Sequence, residues 1–171
     1  MPDYPYANIT LPTLDDEGIF NHRDYIEDFV IDLLLDSYGN SFTVRKYYKT
    51  ANQDIYEDCN NQVASGAPIF LVRTRREDSE DANAEELVDN IFSRLEVIMA
   101  CSVHLEKSHI NISRYTYHMN GFLRKLLREN FVKGLPLNRR RPFIYLGNRD
   151  IYRDDDLDIL LAEYNINYIA K

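Results

Sequence analysis

Apolar residues recur at helical spacing in two segments of the chain. The first segment lies between Asn21 and Gly39, and its apolar positions are Ile26, Phe29, Val30, Leu33 and Leu34. Asn is a favoured residue at a helix start and Gly a favoured one just past a helix end, so the pattern predicts a helix between them. The second segment runs from about Ile112 to Asn130, and its stripe comprises Tyr115, Met119, Phe122, Leu123, Leu126 and Leu127.

Three internal segments have the pattern of strands. Residues 41–50 alternate as an exposed strand does. Residues 68–75 are apolar on both faces at Ile69, Phe70, Leu71 and Val72, which predicts a central strand. From Leu95 to Leu105 apolar residues occupy every second position. That alternation favours a strand over the rival interpretation, a single helix over residues 84–103.

The C-terminal residues are predicted to form a hairpin. Its two strands are Phe143–Tyr152 and Leu157–Ile169, and the acidic residues 154–156 form the turn. Two other polar segments are predicted to be loops: residues 51–66, with at most one helical turn, and the acidic residues 77–86. Asn83 followed by Glu86 resembles a capping box, which predicts a short helix through Leu87, Val88 and Ile91.

This mixed order of elements predicts the α+β class. Strands and helices do not alternate regularly, which favours a mostly antiparallel sheet packed against two long helices. The predicted shared core comprises Phe29, Val30, Leu33, Leu71, Val97, Met99, Phe122, Leu126 and Leu127. Because the chain has 171 residues, we expect one domain, over residues 21–171.

Residues 1–20 are predicted to form an extended N-terminal arm. They contain three Pro and no periodic pattern, yet they are rich in apolar residues, among them Tyr4, Tyr6, Ile9 and Leu11. A disordered tail is normally poorer in such side chains. We therefore expect the arm to lie on a surface, either its own or that of a neighbouring molecule.

Charge and composition narrow the classes of protein. The net charge of −8 argues against general binding of nucleic acid through a basic face. Two Cys do not suggest a disulfide framework, so a reducing, cytosolic setting is favoured. The first twenty residues lack the features of a signal peptide, and no apolar run is long enough for a membrane span. The 13 Tyr suit either an interface or a Tyr-rich sheet.

Candidate chemical sites are few. Asp154, Asp155, Asp156 and Asp158 suggest a cation site, but calcium loops have a Gly in a sharp turn, so a polar turn is favoured. The same holds for Asp15, Asp16 and Glu17. The four His are His22, His104, His109 and His118, and none has the i, i+4 spacing of a helical zinc site. Cys101 has no evident base and is predicted to be a core residue. We therefore predict no catalytic residue, metal or cofactor.

Three stretches of the chain carry a resemblance to a known family. They are the opening helix RDYIEDFVIDLLLDSYG, the strands GAPIFLVRTR and LEVIMACSVHLE, and the helix YTYHMNGFLRKLLREN with a hairpin ending in LLAEYNINYI. The order helix, three strands, helix, two strands resembles the tail terminator proteins of long-tailed bacteriophages, across about residues 22–170. The alternatives are another phage neck or head–tail connector protein, a monomeric adaptor, and a metal-dependent nuclease that uses the Asp cluster.

The resemblance implies a structural virion protein and no enzyme. Members of the family form a hexameric ring that caps the tail tube and joins it to the neck or head. The expected partners are other copies of the chain, the tail tube protein and neck or connector proteins, with DNA only passing through the bore. The expected location is the virion tail or neck, after assembly in the host cytoplasm.

Two sets of residues are predicted to form the subunit interface. The first set is apolar and belongs to the arm: Tyr4, Tyr6, Ile9 and Leu11. The second is charged and pairs the basic cluster with the acidic segment that follows Arg76: Arg139, Arg140 and Arg141 with Glu77 and Asp78. The alternative interpretation of the basic cluster is a solvated connection before a strand.

Overall fold

The chain forms a five-stranded sheet with helices on both faces. The computed structural model describes residues 22–38, 41–49, 51–64, 66–80, 89–107, 114–129 and 143–170. In chain order the elements are α1 (His22–Tyr38), β1 (Thr43–Lys46), α2 (Asn52–Val63), β2 (Ile69–Glu80), β3 (Asp89–Ser102), α3 (His104–Lys107), α4 (Tyr115–Glu129), β4 (Phe143–Arg153) and β5 (Leu157–Ala170). No helix within these ranges is both long and apolar enough to cross a bilayer.

The sheet is mixed, with the strand order β1-β2-β3-β5-β4. Strand β1 runs parallel to β2, and the other three pairings are antiparallel. A parallel pair needs a long crossover connection, and the helix α2 lies in that connection between β1 and β2. The connection through α2 therefore allows β1 to pair with β2 in the parallel direction.

The α+β class is confirmed, whereas two details of the predicted fold are wrong. The sheet is mixed, and it does not pack against two long helices. Helices α1 and α4 have only 17 and 15 residues, and α2, with 12 residues, packs on the opposite face. Residues 51–66 were predicted to be a loop because α2 is mostly polar. Its buried positions Ile55, Cys59 and Val63 are spaced by four and form one narrow stripe.

Each face of the sheet has its own core. The main core lies under α1 and α4 and includes Ile26, Val30, Leu34, Phe70, Val97, Met99, Cys101, Met119, Leu123, Leu127, Leu160 and Tyr164. The second core lies under α2 and includes Ile55, Cys59, Val63, Ile69, Leu71, Ile98, Ala100, Leu157, Ile159 and Leu161. Consecutive residues of β2 and β3 therefore point into different cores, as expected for a strand covered on both faces.

The strand interpretation of the third segment is confirmed over most of its length. Residues Leu95 to Cys101 lie in β3, and the alternate apolar residues face the main core. The alternation continues in the sequence past the strand, but Val103 lies in a turn and Leu105 in α3. The short helix predicted through Ile91 is wrong at that residue, which belongs to β3, while Leu87 and Val88 lie outside the described residues.

The acidic segment after Arg76 is partly a strand. Residues 77–80 extend β2 and pair with residues 90–93 of β3, so the prediction of a loop is wrong there. Long-range pairing with β3 outweighs the weak strand preference of Glu, Asp and Ser. The C-terminal hairpin is confirmed, with strand ends that differ from the predicted ones by at most one residue.

Five of the nine predicted core residues are buried: Val30, Leu71, Val97, Met99 and Leu127. Of these, Leu71 belongs to the second core, so the nine do not share one core. Phe29, Leu33 and Leu126 are only partly buried, at the margin of the main core, and Phe122 is also only partly buried. The α4 face is centred on Met119, Leu123 and Leu127, and the half-buried Phe122 and Leu126 both lie to one side of it.

This centring predicts different costs for two substitutions on α4. Replacing Leu123, which is fully buried, by Ala should lower the free energy of unfolding by at least about 2 kcal/mol, because it leaves a cavity in the core. Replacing the half-buried Leu126 by Ala should cost clearly less. Denaturant titrations of both variants would measure the difference, and equal losses would show that α4 is rotated from the orientation described here.

Candidate functional site

A groove lies between α4 and the start of β4. It encloses about 450 Å³. One wall carries the cationic side chains Arg124, Lys125 and Arg128 of α4, and the apolar floor includes Phe143, Tyr145 and Tyr164. We refer to it as the α4–β4 groove.

The sequence builds the basic wall through helical spacing. Gly121, Arg124, Lys125 and Arg128 lie at i, i+3, i+4 and i+7, so they share one face of α4. That face lies beside the buried stripe centred on Leu123. A Cβ added at Gly121 would meet no atom within 4 Å, so the missing side chain leaves the groove open there rather than permitting a close contact.

The floor is built by the register of the hairpin. Tyr145 of β4 lies opposite Tyr164 of β5, and the two ring centroids are 5.3 Å apart. The Tyr145 hydroxyl accepts hydrogen bonds from the side-chain amides of Asn120 at 3.1 Å and Asn148 at 2.9 Å. The Arg124 guanidinium lies 4.2 Å from the centre of the Tyr145 ring, a cation–π contact that holds this arginine over the floor.

Several charged and polar groups of the groove have no ion-pair or hydrogen-bond partner among the described residues. No carboxylate of the described residues pairs with Arg124, Lys125 or Arg128. The buried Tyr164 hydroxyl has no hydrogen-bond partner within the described part of the chain. Burial is the main cause that raises the pKa of Tyr164, so this phenol stays protonated and is a donor. The groove is therefore suited to apolar groups that are accompanied by carboxylates.

A second cluster of charged residues lies at the opposite end of the hairpin. The Asp158 carboxylate is completely buried and accepts two hydrogen bonds from the Arg114 guanidinium, from Nε at 2.8 Å and Nη2 at 2.6 Å. It also accepts hydrogen bonds from Thr116 Oγ1 at 2.6 Å and Arg153 Nη1 at 2.7 Å. The same Arg114 Nη2 donates to Asp150 at 2.7 Å. We call these five residues the Asp158 cluster.

The Asp158 cluster is a structural link and not a cation site. It joins the N-terminal end of α4, through Arg114 and Thr116, to both strands of the hairpin. Burial acts to raise the pKa of Asp158, but the hydrogen bonds from Arg114 and Thr116 and the positive charges of Arg114 and Arg153 outweigh it and hold that pKa below its ordinary value. The carboxylate is thus ionised and already neutralised by two guanidinium groups.

The four acidic residues of the predicted turn do not converge on one point. Asp154 Oδ1 accepts hydrogen bonds from the backbone N–H groups of Asp156 at 2.8 Å and Leu157 at 2.7 Å, which closes the turn. Asp156 lies 3.2 Å from His104 Nε2, and Asp155 is exposed. Asp158 points into the buried cluster. Within the described residues, no group of three or more His, Cys, Asp or Glu side chains is arranged to hold a metal ion.

The remaining sequence candidates lie apart from the groove. Cys101 is buried in the main core, as predicted. His104 and His118 are exposed on different elements, while nothing is described for the side chain of His22 or for His109. Of the predicted interface residues, Glu77 and Asp78 lie in the extension of β2. The others lie outside the described residues: Tyr4, Tyr6, Ile9, Leu11, Arg139, Arg140 and Arg141.

Sequence reasoning missed the α4–β4 groove and a buried ion pair between Arg73 and Glu96. In the sequence Arg124, Lys125 and Arg128 stand out only as charged residues beside the apolar stripe of the predicted helix. The signal for the buried ion pairs was present, because Arg73, Glu96 and Asp158 each stand directly beside apolar residues of their strands. Charged residues are rarely buried unless they are paired.

Comparison with known proteins adds no assignment. No protein-family model matches this chain, and no curated protein sequence matches it significantly.

Proposed function

We propose that this protein is a structural virion protein, a tail terminator whose ring caps the phage tail tube and joins it to the neck or head. The observation that carries the proposal is the order of the elements. Helix α1, strands β1 to β3, helix α4 and the hairpin β4–β5 follow one another in the order on which the resemblance rests. Helices α2 and α3 are additions to that order.

The two edge strands of the sheet, β1 and β4, support a head-to-tail assembly. A cyclic ring with such contacts needs two different surfaces on each subunit. Strand β1, which has only four residues, forms one edge of the sheet. Its residue Arg45 is exposed, as is Tyr48 just after it. Strand β4, which has eleven residues, forms the other edge of the sheet, and its side chains Ile144 and Leu146 are exposed. The two edges therefore differ in length and in chemistry.

The edge strand β4 also has features that limit uncontrolled pairing. Its register with β5 is interrupted between Tyr145 and Gly147 and again between Asp150 and Tyr152. Bulges and charged residues are common devices against edge-to-edge aggregation. The apolar part that precedes the first interruption, residues 143–145, is then the part of this edge best suited to a specific contact.

The predicted interface residues complete the proposal. Tyr4, Tyr6, Ile9 and Leu11 of the arm supply apolar contact area on a neighbouring subunit. Arg139, Arg140 and Arg141 face Glu77 and Asp78 across the same joint. Exposed ion pairs contribute only about 0–1 kcal/mol each, so the apolar contacts carry the affinity and the charges set the register. The net charge of −8 suits a bore that lets DNA pass without binding it.

The test is the oligomeric state of the full chain. We expect a ring of six subunits of 20.2 kDa each in native mass measurements, with closed rings in negative-stain images. Removing residues 1–20 should lower the assembled mass and leave cooperative unfolding intact. A chain that stays monomeric at all concentrations would contradict the proposal and favour an adaptor.

The same rings separate the terminator from the alternative connector. Purified rings should bind the ends of isolated tail tubes and stop their further growth. Rings that bind only the head side would instead identify a neck or head–tail connector protein. A metal-dependent nuclease is not favoured, because Asp154, Asp156 and Asp158 are engaged in three different interactions.

A further inference from the structure

We propose that residues 14–20, the base of the N-terminal arm, occupy the α4–β4 groove of their own subunit. This inference goes beyond the proposed ring, because it holds for an isolated subunit as well. It also fixes where the more distal apolar residues of the arm leave the subunit.

The groove selects the chemistry of its occupant. The basic wall of Arg124, Lys125 and Arg128 favours an occupant with carboxylates. The floor around Tyr145 and Tyr164 favours apolar side chains adjacent to those carboxylates. A nucleic acid fits poorly, because the chain as a whole carries a charge of −8 and would repel its phosphates.

The base of the arm has the matching pattern. The sequence Leu14-Asp15-Asp16-Glu17-Gly18-Ile19-Phe20 places three carboxylates between apolar residues. The connection from α4 to β4, residues 130–142, does not match the basic wall. It contains Lys133 and the cluster Arg139–Arg141 and no Asp or Glu, so like charges would oppose one another.

The other acidic segment next to the sheet, residues 81–88, is held too far away. Its ends are fixed at Glu80 and Asp89, and Asp89 lies six residues along β3 from Leu95, the partner of Tyr164. At about 3.3 Å per residue this is about 20 Å, whereas an eight-residue loop anchored at both ends reaches back only about 13 Å.

The base of the arm is close enough to reach. The rings of Phe29 in α1 and Phe143 in the groove floor are stacked with centroids 6.2 Å apart. Helix α1 begins at His22, which is seven residues and about 10 Å before Phe29. Residues 16–21 span up to about 20 Å when extended, so Asp16 can return to the basic wall. Tethering keeps this segment at a high effective concentration near its own groove.

Chemical cross-linking of the full chain tests the inference. Asp16→Cys combined with Arg128→Cys, treated with a short bismaleimide, should give an intrachain cross-link that runs as a monomer in a denaturing gel. Its yield should not change on dilution. Asp16→Cys combined with Arg94→Cys is the matched control, because Arg94 is an exposed cation on the opposite face of the sheet. The native Cys59 and Cys101 are buried, and burial raises the pKa of Cys59 to about 12, so neither thiol competes.

Each outcome of the cross-linking either supports or overturns docking of the arm in its own groove. A cross-link that is lost when Arg124→Glu and Lys125→Glu are added, but kept when Arg149→Glu is added, supports docking through the basic wall. A yield no higher than that of the Arg94 control overturns the inference. A cross-link that forms between chains when the two single-Cys variants are mixed also overturns it, since the arm then belongs to a neighbour's groove. Native mass measured on the same samples reports the ring separately, so failure of the ring and failure of the docking are distinguishable.

Discussion

Replacing Asp158 by Asn should lower the free energy of unfolding by about 3–5 kcal/mol, because it removes the buried negative charge that pairs with the Arg114 and Arg153 guanidinium groups. The Asp158 side chain is 0% exposed, and that of Arg114 is 12% exposed. Asn keeps the shape of the side chain but supplies no negative charge and adds donors that face guanidinium donors. Urea titration followed by circular dichroism would measure the loss.

Asp155→Asn is the matched control for this prediction. It makes the same chemical change three residues away on an exposed side chain, and surface substitutions of this kind usually change stability by less than about 0.5 kcal/mol. Comparable losses for the two variants would contradict the role assigned to the Asp158 cluster. They would mean that the α4–hairpin link is held by apolar packing alone.

The same carboxylate gives the stability a defined pH dependence. The pKa of Asp158 is lowered in the folded protein from an ordinary value of 3.8. A lowered pKa means that the folded state binds a proton less readily than the unfolded chain, so the contribution is fully present above that ordinary value. It is lost as the pH falls through the folded-state pKa. The difference in stability between the native chain and Asp158→Asn should therefore stay constant above about pH 5 and narrow below pH 4.

The elements that were predictable from sequence bury a large, regularly spaced part of their surface. Helices α1 and α4 and strand β3 show their periods because a full face of each packs on the main core. The hairpin was recognisable because Asp154, Asp155 and Asp156 interrupt two apolar runs. In these cases local pattern and tertiary packing agree.

The elements that were missed depend on contacts distant in sequence. Helix α2 buries Ile55, Cys59 and Val63 and is otherwise polar, so its stripe was too narrow to stand out. Strand β2 continues through Glu77 to Glu80 because residues 90–93 of β3 lie opposite. The α4–β4 groove depends on the register that places Tyr145 beside Tyr164, and a one-residue shift would send Tyr145 to the other face.

Removing the Glu96 charge should be about as costly as removing that of Asp158. Arg73 and Glu96 are 4% and 1% exposed, and Arg73 Nε and Nη2 both lie 2.6 Å from Glu96 Oε2. Arg73 Nη1 also donates to the Lys49 carbonyl. Glu96→Gln leaves the Arg73 charge buried, with an expected loss of about 3–5 kcal/mol in the free energy of unfolding.

Two further variants decide whether that loss comes from the unpaired charge. Glu163→Gln is the control, since Glu163 is 27% exposed and lies 3.9 Å from Arg149, so its loss should be about 0–1 kcal/mol. Replacing both partners, Arg73→Met with Glu96→Leu, removes the charge pair and fills a similar volume. Because a buried pair can be exchanged for apolar side chains at little cost, the double variant should recover most of the stability that Glu96→Gln loses. A double variant as unstable as Glu96→Gln in the same urea titration would instead assign the loss to disturbed packing between β2 and β3.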